Sequence, residues 1–311
     1  DAIILNAPGQ WDVFSYYYEG EWPVYRLPEQ RPADRTDLEQ RLAQIAASHG
    51  RLYVLYWALD ESDPERITES WLDAHAFKGV DAWNGNVRFV VYETMAGWEG
   101  QWLMREPGLR LGPAIELHAV AVPEAAVAAG DILPVQLTWR AVSPPAERLK
   151  VFIQVLDAGN HVVGQRDVEP GGGAAPTTGW AAGQEIDDRH GVYIEPGTPP
   201  GAYRLIAGLY DGQTGQRAVV AETGHDFVDL GTVRIERPQT PPPWSALDPA
   251  HDVQQAIGPL TLIGYDRHEL GRPPEVDAPL APSAVLHLAF FWQLAGPAQG
   301  DWAYRVWLDD R

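Results

Sequence analysis

Carboxylates are the most numerous side chains in this sequence that could catalyse a reaction. The chain has 43 Asp and Glu residues against 23 Lys and Arg, and adjacent acids occur at Asp60-Glu61 and Asp187-Asp188. A glycoside hydrolase needs two carboxyl groups that flank a cleft, one of them with a raised pKa. Because so many acids make close pairs inevitable, adjacency alone favours solvated surface acids over a hydrolase.

Metal-binding and nucleophile motifs have weaker support. Asp187-Asp-Arg-His190 and His225-Asp226 combine oxygen and nitrogen ligands, but the sequence has neither a His-x-His pair nor an HExxH motif. We therefore expect no metal and no cofactor, with a structural Ca²⁺ in an oxygen-rich loop as the alternative. Gly-x-Ser-x-Gly and cysteine are both absent, which excludes disulfides and Cys nucleophiles.

Aromatic side chains are the second class with a chemical use, since the sequence has 13 Trp and 12 Tyr. Six of them crowd one early segment: Trp11, Tyr16, Tyr17, Tyr18, Trp22 and Tyr25. Aromatic rings can hold the apolar face of a sugar and hydrogen-bond at their polar edges. Contact with lipid headgroups and packing between domains are the alternatives, and strand aromatics such as Tyr53 and Trp139 are expected in the core.

A ligand-binding crevice is predicted at one edge of an N-terminal sheet. In open α/β sheets, ligands bind beyond the carboxyl ends of the strands. Those ends carry Trp11, Asp60, Glu61 and Glu93 here, with Trp98 nearby. Acids and indoles in one crevice could hold a polyhydroxylated ligand by hydrogen bonds and stacking. We predict that these five residues bind a ligand and that none of them is catalytic.

The elements that would position this crevice alternate between strand and helix patterns over residues 1–111. A capping-box pattern at Thr36 and Glu39 and the pair Asp63-Pro64 each predict the start of a helix. Apolar runs predict strands at 2–5, 51–59 and 87–92. The order strand–helix–strand–helix–strand predicts a small three-layer α/β domain of Rossmann-like type with a parallel sheet.

The sequence pattern changes at residues 112–237, where short runs of residues that favour β-strands alternate with Pro and Gly. The candidate strands are 116–122, 132–140, 149–156, 161–168, 203–210, 217–222 and 230–236. Their number and spacing predict an all-β, immunoglobulin-like β-sandwich. The glycine-rich stretch at 171–179 is interpreted as an exposed loop rather than a phosphate site, because neither a helix nor a Lys follows it.

An internal repeat defines the remainder of the chain. Residues 133–157 and 286–310 both have an apolar run that ends in Trp (Trp139, Trp292), a Pro five residues later and a second apolar run. This similarity predicts one structural unit in two copies, with a Pro-rich linker at 238–254 and a truncated second sandwich at 255–311. Because half a sandwich cannot bury its own face well, we expect the chain to be a segment of a longer polypeptide.

Composition and charge limit the partners. Hydrophobic residues make up 45% of the chain and charged residues 21%, which is typical of a globular protein. The formal net charge of −20 argues against nucleic acid and against an anionic membrane surface. The longest apolar run, at residues 52–59, is too short to span a bilayer.

Several of these segments resemble a known family. The segments at 200–211 (PGAYRLIAGLYD), 230–235 (LGTVRI) and 262–266 (LIGYD) resemble a β-sandwich found at the C-terminal end of certain bacterial membrane glycosyltransferases. Residues 2–5, the tyrosines at 16–18, residues 49–55 and the Asp63-Pro…Trp71-Leu-Asp73 pattern are similar to the extracytoplasmic α/β domain of the dolichyl-phosphate-mannose-protein mannosyltransferase-like family (family 39 type).

The resemblance implies an enzyme that moves a sugar from a lipid-linked donor to an acceptor at the outer face of the membrane. The key acid of that family lies in an early loop between membrane helices, which has no counterpart here. The chain would then be a non-catalytic extracytoplasmic accessory region, at the cell surface or in the periplasm, tethered to the membrane through a preceding region. Its implied partners are a glycan or lipid-linked sugar and the membrane-embedded part of the same polypeptide.

Two other classes of function stay open at this point. The first is a free-standing cell-surface carbohydrate-binding or adhesion module, in which the aromatic residues would bind the ligand. The second is a soluble hydrolase, which would need a pair of carboxyl groups at a cleft.

Overall fold

The computed structural model describes residues 1–6, 8–98, 100–269, 281 and 284–294. The chain divides into two compact units, Asp1–Gln239 and Thr240–Arg311. It is mostly β: the first unit holds a mixed α/β sheet and a large, strongly curled β-sheet, and the second holds a small antiparallel sheet. Pro297 and the last apolar run of the predicted repeat, at residues 304–308, lie outside the described residues.

The described part of the chain contains five α-helices. They are α1 (Trp11–Tyr17), α2 (Arg35–Ser48), α3 (Leu59–Ser62), α4 (Ile67–His75) and α5 (Trp244–Leu247). The carboxylate of Asp34 caps α2 by accepting a hydrogen bond from the Asp37 N–H, so the N-cap lies two residues before the one predicted at Thr36. α4 begins at Ile67, three residues after the start predicted at Pro64. No helix of the described residues is long and apolar enough to cross a membrane.

The N-terminal sheet has five strands: β1 (Ala2–Asn6), β2 (Val24–Arg26), β3 (Arg51–Tyr56), β4 (Phe77–Asn84) and β5 (Val87–Glu93). Their order is β2-β1-β3-β5-β4. β1 is parallel to β2 and β3, whereas β5 is antiparallel to β3 and β4. The expectation of a parallel sheet was therefore wrong. β4, which the sequence patterns did not predict, joins β5 through a two-residue turn, and so short a turn connects only antiparallel strands.

Both longer helices cover the same face of this sheet. Apolar residues of α2 and α4, among them Leu42 and Leu72, share one buried cluster with Leu52, Val54 and Tyr56 of β3. The alternate residues of β3 are only half-buried, and α1 buries none of its residues. The described elements thus form two layers rather than the expected three, because no described helix provides buried residues on the second face.

The second sheet has ten strands. They are β6 (Trp102–Arg105), β7 (Leu109–Leu111), β8 (Ile115–Pro123), β9 (Val127–Ala128), β10 (Ile132–Ala141), β11 (Leu149–Leu156), β12 (Val162–Val168), β13 (Glu185–Ile194), β14 (Gly201–Asp211) and β15 (Val228–Glu236). The order is β6-β8-β10-β13-β12-β11-β14-β15-β9, and β7 pairs with β8. β6 and β7 precede residue 112, and the division at that residue stays a prediction.

The curl of this sheet brings its two halves onto one core. β12 and β13 are joined by only two residue pairs, Gly164–Ile194 and Gln165–Tyr193. The inward residues of both halves form a single apolar cluster that includes the fully buried Trp139, as in a β-sandwich. Most predicted strands are confirmed, but residues 217–222 form isolated bridges instead of a strand, and β13 was missed because acids interrupt its apolar pattern.

The second unit contains three antiparallel strands, β16 (His251–Ile257), β17 (Leu260–Glu269) and β18 (Leu286–Leu294), in the order β16-β17-β18. β18 covers the apolar run that ends in Trp292, as β10 covers the related run that ends in Trp139. β16 begins inside the stretch predicted as a linker, so this stretch is partly strand.

Candidate functional site

The five residues of the predicted crevice do not meet. Because β5 runs antiparallel to β3, Glu93 pairs with Arg51 at the start of β3. Asp60 and Glu61 follow the other end of β3, in α3. A strand of this length separates the two ends by roughly 17 Å. Glu93, with Trp98 after it, therefore lies at the opposite end of β3 from the two acids, and the crevice interpretation was wrong in its geometry.

The residues beyond the carboxyl ends of β1 and β3 have local partners. Asp60 is exposed and forms an ion pair with Arg66 of 2.9 Å, and Glu61 is exposed beside it in α3. Trp11 begins α1, where the Arg26 guanidinium lies 4.9 Å from the centre of its ring. Exposed pairs of this kind contribute little to stability, and they do not enclose a ligand.

At the other end of the sheet, Glu93 is a buried acid between two sheets. It is 4% exposed, and its Oε1 accepts a hydrogen bond from Arg51 Nε. Arg51 Nη2 donates a second hydrogen bond, of 2.9 Å, to Asp131 Oδ1 in the turn before β10. Burial raises the pKa of the Glu93 carboxyl to about 7, and the Arg51 guanidinium offsets this effect only in part.

The surroundings of Glu93 are closed by tightly packed backbone. A Cβ atom added to Gly50 would lie 2.6 Å from Gly97 Cα, and one added to Gly97 would lie 3.1 Å from Glu93 Oε2. Thr94 fixes the same segment, since its Oγ1 donates to the His49 carbonyl at 2.6 Å. Trp98 packs against the core of the second sheet. A carboxyl with this pKa would suit general acid catalysis, but the described residues cover the Glu93 side chain almost completely.

A second buried network begins on α4, β4 and β5. Lys78 is buried, and its Nζ lies 2.7 Å from Asp73 Oδ1 and 3.1 Å from Glu69 Oε1. Arg88 connects Glu69, at 2.8 Å, with Asp81, at 2.6 Å. Opposite charges therefore alternate through the group, which is how buried charges are usually compensated.

This network continues into the second sheet. Burial raises the pKa of Asp73, and Tyr92 Oη donates a hydrogen bond of 2.8 Å to its Oδ1. A Cβ added to Gly172 would lie 2.8 Å from Asp73 Oδ2. The neighbouring Gly171 N–H donates to Asp188 Oδ1 at 2.8 Å. The glycine-rich segment is exposed at residues 172–174 and 178–179, as predicted, but Gly171 and Gly172 at its start pack between carboxylates of β13 and α4.

Asp188 is a fully buried acid in the core of the second sheet. It accepts a hydrogen bond of 2.9 Å from Trp139 Nε1 and lies 2.7 Å from His190 Nε2. Burial disfavours its charge, but His190, Gly171 and Trp139 together keep the pKa of Asp188 below its usual value. Asp187 points to the exposed face, where it accepts from Thr138. Asp187 and His190 therefore lie on opposite faces of β13 and cannot bind one metal ion.

Two glycines allow β4 and β13 to approach closely. A Cβ added to Gly191 would lie 2.7 Å from the Gly79 backbone nitrogen. Beside this contact, Arg189 Nη1 donates a hydrogen bond of 2.6 Å to the Ala74 carbonyl, and Phe77 stacks on Trp102 with ring centres 5.8 Å apart. These contacts hold the N-terminal sheet and the second sheet in one compact unit.

The early aromatic segment forms two stripes on α1. Phe14 stacks on Tyr18 at 5.1 Å, and Tyr18 Oη accepts a hydrogen bond of 3.0 Å from the Trp22 N–H, so this stripe faces its own chain. On the other stripe, Tyr16 is 80% and Tyr17 is 76% exposed. Their rings meet edge to face, 4.9 Å apart and at 88°. The sequence identified this group, but only the structure separates its covered rings from its open ones.

A row of rings crosses the sheet face opposite to α2 and α4. Trp22 stacks on Tyr53 at 4.9 Å, and Tyr53 stacks on Phe89 at 6.1 Å. Tyr53 was expected in the core, but it is only half-buried because it alternates with the buried residues of β3.

The chain matches no family model and no curated protein. Among solved structures, it is similar to a Niemann-Pick type C2 protein from Japanese carpenter ant, with 9% identity and a TM-score of 0.27 over 43% of this chain and 99% of that chain. The C-terminal domain of Wzt has 8% identity and a TM-score of 0.28 over 46% and 83%. These values are too low to support any transfer of function.

Proposed function

We propose that this chain is a non-catalytic accessory region of a membrane glycosyltransferase-like protein and recognises a glycan or a lipid-linked sugar. One contrast carries the proposal: Glu93, the acid with the pKa best suited to general acid catalysis, is sealed between two sheets, whereas Tyr16 and Tyr17 are open to solvent. Exposed aromatic rings can contact a sugar, whereas a hydrolase needs a carboxyl group that its substrate can reach.

The proposal includes the architecture and location that the sequence resemblance implies. The curled second sheet is an immunoglobulin-like sandwich, and the sheet of the second unit is the beginning of another. The region lies outside the cytoplasm, at the cell surface or in the periplasm, and contacts the membrane-embedded part of the same polypeptide.

A free-standing carbohydrate-binding or adhesion module would use the same aromatic residues. The structure therefore does not distinguish such a module from a region of a membrane glycosyltransferase-like protein. The open reading frame that contains this segment separates the two. Many apolar membrane spans encoded before Asp1 would support the glycosyltransferase-like parent, and a leader peptide with a surface anchor in their place would contradict it.

The absence of catalysis is tested by hydrolysis of a panel of p-nitrophenyl glycosides. We expect the wild type, Glu93→Gln and the exposed control Asp60→Asn all to release p-nitrophenol no faster than buffer without protein. Turnover by the wild type that falls at least tenfold in Glu93→Gln but not in Asp60→Asn would overturn the proposal, since it would assign Glu93 as an acid catalyst. Circular dichroism and a melting curve establish that each variant is folded.

A further inference from the structure

The open stripe of α1 is an unusual surface for a short helix. Val13, Tyr16 and Tyr17 are related by three and four positions, so they share one helix face, and all three are exposed. A helix of seven residues is marginal on its own in water, and α1 buries no residue against the fold. Packing within the described fold therefore does not require apolar or aromatic side chains at these three positions.

The shape of this surface suits a small, non-planar ligand. The rings of Tyr16 and Tyr17 are nearly perpendicular, so together they form a corner with two aromatic walls. A pyranose ring has apolar C–H faces and hydroxyl groups around its edge, and it can place a C–H face on one wall. The two phenol hydroxyls then lie within reach of its rim as donors or acceptors.

The charge around this corner selects the class of ligand. Residues 1–25 contain no Lys and no Arg, and Asp12, Glu19 and Glu21 are exposed close to the two tyrosines in sequence. Two cations lie near the start of α1 instead: Arg26 is over the Trp11 ring, and Arg31 Nη2 would lie 3.7 Å from a Cβ added to Gly9. Carboxylates accept hydrogen bonds from sugar hydroxyls, but they repel phosphate, sulfate and uronate groups.

We propose that Val13, Tyr16 and Tyr17, here called the aromatic corner, bind a neutral saccharide. The inference deepens the proposed function and rests on it, because it assigns the recognition role to one surface and one class of ligand. It excludes anionic sugars and the phosphate of a lipid-linked donor from the corner itself. The saccharide is the sugar part of an acceptor or donor, held by stacking and by hydroxyl contacts.

The test measures binding of the whole chain to an array of neutral and uronate-containing oligosaccharides, followed by titration of the best neutral ligand. We expect saturable binding to neutral ligands only. The double variant Tyr16→Ala/Tyr17→Ala should weaken it at least about tenfold, because two stacking rings are lost. The Phe variants at both positions keep the rings and should lose less. Trp83→Ala is the matched control, since Trp83 is 68% exposed on β4, at the other edge of the sheet.

Each other outcome contradicts the inference in a different way. Neutral-sugar binding that survives in the double variant would place recognition elsewhere and leave the proposed function standing. Preferred binding of uronate ligands would overturn the assigned ligand class. No saccharide binding, together with association to phosphatidylcholine vesicles that the double variant loses, would make the corner a membrane contact. No binding to sugars or vesicles would show that the corner holds no saccharide, whereas the glycoside-hydrolysis assay and the reading frame still test the proposed function.

Discussion

Arg51 on the N-terminal sheet lies 2.9 Å from Asp131 in the turn before β10 of the second sheet, and the same guanidinium donates a hydrogen bond to the buried Glu93. One cation thus compensates a half-buried acid and a buried one where the two sheets meet. Such a bridge joins regions that the sequence patterns treat as separate domains. It also explains why an acid in this position is structural, since its partner is another part of the same fold.

The buried Glu93 should make stability depend on pH. Its pKa rises from 4.5 to about 7 on folding, so the folded state retains a proton that the unfolded state loses. Its contribution is fully present below about pH 4.5 and is lost as the pH rises to about 7, by about 3 kcal/mol. Urea unfolding at pH 5 and pH 8 measures this difference. Glu93→Gln, which does not titrate, should remove this difference, and the exposed Glu61→Gln should keep it. If the free energy of unfolding of Glu93→Gln still fell by the same amount between pH 5 and pH 8, Glu93 would not be its source.

Asp188 and Asp187 are adjacent acids with opposite environments. Replacing Asp188 by Ala leaves Trp139 Nε1 buried without its acceptor and removes the carboxylate beside the buried His190, and we expect a loss of about 3–5 kcal/mol in the free energy of unfolding. Asp187→Ala removes only an exposed contact and should cost less than about 0.5 kcal/mol. Chemical denaturation measures the free energy of unfolding of both variants. Equal losses would mean that the buried contacts of Asp188 stabilise the fold no more than the exposed contact of Asp187.

The same acid predicts the behaviour at low pH. Because the folded-state pKa of Asp188 is lowered, its stabilising contribution is present above about pH 3.8, the value of an unperturbed Asp, and is lost as the pH falls through the folded-state value. The melting temperature of the wild type should therefore fall more steeply below pH 4 than that of Asp188→Asn. Parallel curves for the two proteins would argue against a charged Asp188.

The glycine contact between β4 and β13 leaves no room for a side chain. A Cβ at Gly191 would lie 2.7 Å from a backbone nitrogen, which cannot move as a side chain could. We expect Gly191→Ala to destabilise the first unit by about 1–3 kcal/mol, as overpacking does. Gly179→Ala is the control, because nothing lies within 4 Å of a Cβ there. Differential scanning calorimetry of the two variants compares them, and a neutral Gly191→Ala would mean that the sheets separate without cost.

Lys78 should be required mainly where its acids are charged. Lys78→Met leaves Asp73 without its buried cation, while Glu69 keeps only Arg88, and we expect a loss of about 3 kcal/mol near pH 8. The loss should be smaller near pH 4, since burial already raises the pKa of Asp73 and its proton removes the uncompensated charge. Lys150→Met, at the other lysine of the sequence, controls for removal of one positive charge. A loss that grows towards low pH would refute this explanation.

The sequence by itself determined most of the local structure. Apolar periodicity located β1, β3, β5 and nearly all the long strands of the second sheet. Short polar signals indicated the two longer helices, α2 and α4, to within three residues of their starts. The aromatic segment at residues 11–25 was also visible, because its composition alone makes it unusual. These features depend on neighbours within a few residues, which a sequence pattern records.

The tertiary structure alone decided which of these residues meet. The two-residue turn before β5 reversed that strand, so Glu93 moved to the opposite end of the sheet from Asp60 and Glu61. In the sequence, Asp188 looked like one of many surface acids. In the structure it is buried beside Trp139, which is distant in the chain, and His190, which lies on the same face of β13. Strand direction and the burial of a charge depend on partners that are remote in sequence, and local patterns contain no information about them.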